Sequence, residues 1–178
     1  MTFTVRAATP ADAEAIGTLH LAIWRDIYRD LAPPEVFEAM TLAVRLERWH
    51  GILADPSRTT LLLEVNGTLA GFGLCGPPSH PIFGARGEIK NLFVDRAFAR
   101  RGIGKRLMGE MAAILVTRGY TGIGLAVVVG NTQAIAFYES LRGRKAGTYT
   151  DPGPLWRSDN LFYVWDDAAA LTKLRETA

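Results

Sequence analysis

The sequence has one cysteine, Cys75, three histidines and a formal net charge of only +2 over 178 residues. A lone thiol excludes an internal disulfide and suits a reducing compartment. Cys75 reads as a small core residue rather than a nucleophile. So slight a charge excess leaves no footprint for nucleic acid, because lysines and arginines are mixed with acids everywhere except residues 96–106. No apolar run reaches the length of a membrane span, and the N-terminus lacks a signal-peptide pattern. The reading is a cytoplasmic protein with no membrane partner. Repeats, low-complexity tracts and internal linkers are missing as well. With 48% hydrophobic and 21% charged residues, 1–178 reads as one globular domain with room for a full core.

What is present centres on Glu88 to Met108, EIKNLFVDRAFARRGIGKRLM. Apolar residues crowd towards Val94, and Asp95-Arg96 then breaks the run as a turn does. From Gly102 the period changes to a helical one through Ile103, Leu107, Met108, Met111, Ala112 and Leu115, which predicts a helix of about 16 residues ending near Arg118-Gly119. The first N–H groups of a helix lack internal acceptors and sit at the positive end of its dipole. Gly102 and Gly104 remove side chains that would hold an anion away from them, and Arg100, Arg101, Lys105 and Arg106 add charge. The junction is a phosphate cradle. It is not a nucleotide P-loop, which needs Gly at Ala99 and Ser or Thr at Arg106. Nor is it a dinucleotide fingerprint, which needs a third glycine at Leu107.

In chain order, residues 3 to 7 predict a strand, and Thr9-Pro10 starts a helix with Ile16, Leu19, His20, Ile23, Trp24 and Ile27 on its apolar face. His20 reads as a packed or surface residue. After Pro33-Pro34 a second helix is expected from about Glu35 to Leu53, although its apolar residues are spread rather than striped. Asn66-Gly67 marks a hairpin between strands 59–65 and 68–75. In the strand before the cradle the side-chain alternation is broken, and one extra residue near its middle, a β-bulge, would repair it. Gly122 to Val129 is a strand with small residues on one face, suited to close approach of another group. Asn131 caps a helix through Tyr138 and Leu141; Asn131 and Tyr138 lie seven residues apart and project to one side. Residues 144–149 and 160–165 predict two final strands.

The cradle, Ala99-Arg100-Arg101-Gly102-Ile103-Gly104 after a strand and before an amphipathic helix, resembles the acyl-CoA-binding core of the GNAT (GCN5-related N-acetyltransferase) superfamily, whose pattern is [QR]-x-x-G-x-[GA]. Ala99 stands at the usual Gln or Arg. The run from Asn131 through AIAFYESL resembles the same family's N-x-x-A-x-x-[FL]-Y-x-x-x-G-F, with Gly143 one place late and no Phe after it. The order β-α-α-β-β-β-α-β-α-β-β agrees. The fold class expected is therefore α/β of the α+β type: a mixed, mainly antiparallel sheet of about seven strands with about four helices.

The resemblance implies that the fourth and fifth strands splay. Leu92, Phe93 and Val94 would then pair with the pantetheine arm of acetyl-CoA, with Arg100, Arg101, Gly102, Ile103, Gly104 and Lys105 under its pyrophosphate and Asn131 beside them. No metal is implied. It further implies transfer to a primary amine of a small molecule or peptide by direct attack, with Glu88 as base, a free N–H of Phe93 or Val94 facing the developing oxyanion, and Tyr138 as the acid for the departing thiolate. Glu88 also fits a surface residue at a strand start, Tyr138 a core tyrosine, and Glu64 is an alternative base. Trp24, Tyr28, Phe83 and Trp156 could wall the acceptor cleft or be plain core. Two other readings stay open: another acyl group or a hydroxyl acceptor, and a non-catalytic acyl-CoA sensor. A homodimer is compatible with the resemblance, and the acceptor is not legible.

Overall fold

The computed structural model describes residues 1–176. Its strands are β1 (Phe3–Ala7), β2 (Thr59–Val65), β3 (Thr68–Gly76), β4 (Gly87–Val94), β5 (Ile123–Val128), β6 (Arg144–Asp151) and β7 (Ser158–Trp165). Its helices are α1 (Ala13–Tyr28), α2 (Pro34–Ala39), α3 (Leu42–Ala54), α4 (Ile103–Thr117), α5 (Thr132–Ser140) and α6 (Ala168–Leu171). The strands form one sheet in the order β1-β2-β3-β4-β5-β7-β6, antiparallel throughout except for β4 beside β5. This is the expected mixed α+β plan.

Local chemistry explains most boundaries. Asn66 and Gly67 both take left-handed φ values, +50° and +80°, which a two-residue hairpin turn requires. Asp12 accepts hydrogen bonds from the Thr9 N–H (2.7 Å) and hydroxyl (2.9 Å), tying down the 3-10 turn before α1. Asn131 Oδ1 accepts from Ala134 N at the start of α5. Two helical expectations need correction. The helix expected over Glu35 to Leu53 is two, because Met40 leaves helical geometry (ψ 77°) and Thr41 caps α3 through the Val44 N–H. The spread apolar pattern was the sum of two short axes. After β7, α6 adds a helix that was not expected, capped by Asp167 on the Ala170 N–H.

One face of the sheet carries α4 and α6 over Leu63, Cys75, Ile89 and Leu125; the other carries α1 and α3, with Ile16 and Trp49 on Leu62 and Phe72. Cys75 is fully buried, and burial pushes its thiol up to about 12, as suits an inert core residue. The chain leaves α5 through Arg142, which takes the left-handed position at φ +60°, so Gly143 serves another purpose. A β-carbon there would lie 2.7 Å from Trp165 Cζ2 and 2.9 Å from the Tyr138 carbonyl oxygen. Gly143→Ala is therefore expected to cost about 1–3 kcal/mol in urea unfolding. A loss below about 0.5 kcal/mol would mean that the loop relaxes freely.

Candidate active site

The bulge expected in β4 lies at Lys90: Asn91 pairs with Leu74 and Ile89 with Cys75, so Lys90 is the extra residue. Beyond it, β4 and β5 part. Only Gly87↔Ile123 and Glu88↔Gly124 are paired, and both strands run on without each other to Val94 and Val128. A V-shaped gap opens with Glu88 at its vertex.

The direction of the free backbone groups follows from the ladder. Asp95 N–H bonds the Ala70 carbonyl at 2.8 Å, and Phe93 lies opposite Phe72 in the same register. Alternate residues of an antiparallel strand face the same neighbour. Phe93 and Asn91 thus spend their N–H groups on β3, and those of Leu92 and Val94 face the gap. Of the two oxyanion donors considered, Phe93 is excluded on this geometry; Val94 keeps a free N–H but stands six residues from Glu88, about 20 Å along the strand, and Leu92 is the free donor nearer the vertex.

A cleft of about 1880 Å³ fills the gap and extends over the start of α4. That exceeds the roughly 300–1,000 Å³ of common small-molecule pockets and suits a long ligand. Glu88, Leu92, Phe93, Val94, Arg100, Gly102, Ile103, Gly104, Lys105, Asn131 and Tyr138 all line it. Arg101 does not. Its guanidinium lies 5.7 Å over the Phe98 ring, and Arg106, also counted as cradle charge, instead pairs with Glu110 at 2.8 Å. Two of the four expected cations therefore face elsewhere.

The cradle has the backbone form an anion needs. Arg100 and Gly102 adopt φ values of +63° and +82°, a turn of the kind that gathers N–H groups. The Arg106 N–H is bonded to Gly102 O, so those of Ile103, Gly104 and Lys105 precede the first acceptor within the helix. At Gly104 a β-carbon would meet Phe137 Cζ at 3.2 Å. Phe137 thereby docks α5, which bears Tyr138, on the start of α4. These residues fit a phosphate-bearing thioester ligand: bare N–H groups and two cations for its phosphates, an unpaired strand for its amide arm.

Glu88 is 2% exposed, so the surface alternative is excluded. Its carboxylate accepts from Ser79 N–H (2.7 Å) and Ser79 Oγ (2.9 Å), and Lys90 Nζ stands 3.6 Å away. A carboxylate offers about four acceptor positions, so two partners leave capacity for another proton donor. Tyr138 packs between Phe137, Tyr163 and Trp165, and burial pushes its phenol above the ordinary value of 10.0, with nearby Tyr28 adding to the effect. Glu64 lies outside the lining and is held by Arg6 at 2.9 Å.

Trp24, Tyr28 and Trp156 do form a wall, with ring centroids 5.3–6.2 Å apart. Phe83 does not. It fills the space left bare by Gly124, so the small face of β5 there serves packing, while Ala126 lines the cleft. His20 is buried and lines the cleft too; its Nδ1 accepts from Trp49 Nε1 at 3.1 Å, and burial holds the ring neutral well below 6.5. Arg45 on α3 and Tyr149 on β6 also reach the cleft, and the sequence singled out neither. Burial, then Asp151 and Glu88, raise Tyr149 to about 12. Only a long-range neighbour, invisible in local pattern, places these side chains here. Among the described residues no helix is long and apolar enough to cross a membrane, and no cluster of His, Cys, Asp or Glu could hold a metal ion.

Known proteins share this fold. A Bacillus subtilis (strain 168) chain named uncharacterized N-acetyltransferase YuaI is 23% identical over 171 residues, 96% of this chain and 97% of its own. PaiA N-acetyltransferase of Thermoplasma acidophilum, solved in complex with coenzyme A, superposes with a TM-score of 0.68 at 17% identity, covering 93% of this chain and all of that one. YncA of Salmonella typhimurium, a putative acetyltransferase solved with acetyl-CoA, gives 0.67 at 19% identity, covering 93% and 94%. The model of the acetyltransferase (GNAT) family matches residues 23–143, from the aromatic wall of α1 through the splayed strands and the cradle to the end of α5, and this chain belongs to that family.

Proposed function

We propose that this protein transfers an acetyl group from acetyl-CoA to the primary amine of a small molecule or peptide by direct attack. One observation carries the reading: the gap between β4 and β5 brings a buried carboxylate, a buried phenol, two free strand N–H groups and a phosphate cradle into one cleft. Acetyl-CoA would bring the activated thioester, held by Val94 along its arm and by Arg100, Lys105 and the Ile103–Lys105 N–H groups at its phosphates.

The chain's own groups meet the three demands of acyl transfer. An amine near pKa 10.4 must lose a proton before it can attack, and Glu88 receives that proton at the vertex of the gap. The Leu92 N–H, the free strand donor nearer the vertex, faces the acyl oxygen as negative charge grows there, and the Val94 N–H is left to the arm. Tyr138 gives its phenolic proton to the sulfur as the carbon–sulfur bond breaks and regains one as the newly acylated nitrogen sheds its second proton to become the amide, and the proton on Glu88 returns to solvent.

Titration calorimetry with acetyl-CoA and CoA, followed by a free-thiol assay on a mixed amine and peptide panel, tests this. Binding with thiol release supports it, whereas binding without release would overturn it in favour of a sensor. Glu88→Gln is expected to lower kcat/KM about 10²-fold at pH 7, with the deficit shrinking as pH approaches the amine's own pKa. A deficit independent of pH would remove the base role.

A further inference from the structure

Among the described residues, the α1–α3 wall of the cleft contains a guanidinium with no ion-pair or hydrogen-bond partner. Arg45 is 5% exposed, its guanidinium carbon lies 5.8 Å from the centre of the Trp24 ring, and its Nε and Nη2 are buried without a hydrogen bond. Burying an unpaired guanidinium is costly, so a residue kept in that state points to a missing anion. The rest of the cleft does not supply one. Asp26 pairs with Arg96 at 3.7 Å, Glu88 is held by Ser79 and Lys90, Asp95 accepts from the Ala97 N–H, and Asp151 from the Gly153 N–H. Among the described residues neither Arg45 nor Arg48, one turn further along α3 and also in the lining, has a carboxylate within ion-pair distance. Arg58, whose Nη1 is likewise unbonded, differs: its Nε stands 3.5 Å from Asp55.

Electrostatics agrees with this shortage. Burial, then Arg48, lowers Arg45 to about 10, with only the Tyr28 phenol acting in the opposite sense. Tyr28 in turn acts on Tyr138, and Asn131 acts on Tyr28; all of them line the one cleft with Arg45, so the guanidinium belongs to the same chamber as the transfer centre. It lies outside the β4 edge and the α4 loop, which are assigned to the acyl donor.

We propose that Arg45 is a specificity-determining residue that binds a carboxylate on the acceptor, so that the amine substrate is an amino-acid-like molecule carrying both groups. The planar guanidinium fork matches two carboxylate oxygens, and the Trp24, Tyr28 and Trp156 rings flank the carbon skeleton between carboxylate and amine. This rests on the acetyl-transfer reading given above, and the test separates the two.

The acetyl-group acceptor site is probed by calorimetry on the CoA-saturated protein with α- and ω-amino acids against their carboxamides. Binding rather than rate is compared, since amidation also changes amine basicity. The best-bound acid is expected to bind about ten- to a hundredfold tighter than its amide. Arg45→Met should bring that ratio to within about twofold and leave the CoA Kd unchanged, while Arg45→Lys restores part of the ratio. Equal binding of acid and amide by the unmodified protein overturns the proposal, even if the Met variant does not fold. So does a variant that loses CoA affinity and keeps the ratio, because the anion is then the donor's. Acid preference without thiol release keeps the subsite and sinks acetyl transfer; thiol release without acid preference does the reverse.

Discussion

Tyr138→Phe is expected to lower kcat about 10²–10⁴-fold while changing the acetyl-CoA Kd less than about threefold. The substitution removes one O–H and leaves the ring, so the contacts with Phe137, Tyr163 and Trp165 persist. Its effect is therefore confined to proton donation. Burial raises the phenol above 10.0, and a raised pKa keeps the protonated form present at all lower pH. Tyr138 is thus in the donating state throughout the neutral range, and the rate should show no alkaline fall from this group below about pH 10. Thiol-release kinetics beside calorimetry would decide it. Turnover within about threefold of the parent would return Tyr138 to the core, and the acid would have to be sought among the other phenols lining the cleft, Tyr28 and Tyr149.

Leu107→Ala should cost about 3–4 kcal/mol in urea unfolding. Leu107 is fully buried among Ile103, Met108 and Met111, and its Cδ1 fills the space above Gly71, 3.4 Å from where a β-carbon would stand. Neighbours fixed on both the sheet and the helix leave little room to collapse into the cavity. For a chain of this length the loss corresponds to a fall in Tm of roughly 6–16 °C. Because Leu107 lies one turn beyond the cradle, the loosened helix should also weaken CoA binding. A loss under about 1 kcal/mol would show that α4 re-seats on β3.

The elements legible beforehand are those whose cause lies within a few residues. Asn66-Gly67 needs only its own two left-handed conformations to reverse the chain, and Asn131 needs only the amide three residues on. The bulge at Lys90 was readable because a period of two tolerates no extra residue without a break in alternation. Even the split of the second helix left a trace, since no single axis gathers Val36, Phe37, Met40, Val44, Leu46 and Trp49 on one stripe.

The sequence by itself therefore determined the order of the seven strands and the places of α1, α4 and α5 among them, the turns and caps, the glycine loop at a helix start, and the family. Only the tertiary structure decided which groups face the cleft. Whether Phe93 or Val94 keeps a free N–H depends on where Ala70 sits, 25 residues before the Asp95 that bonds it. Arg100 and Arg101 are adjacent and alike, yet the backbone turn at Arg100 aims one into the cleft and lays the other over Phe98. Glu88 looks like a surface residue until β5 and the Ser79 loop close over it, and Arg45 like one charge among many until α1 buries it away from the carboxylates of the described residues. Helical and strand periods act over a few residues, whereas burial and charge pairing are properties of segments that meet only when the chain is folded.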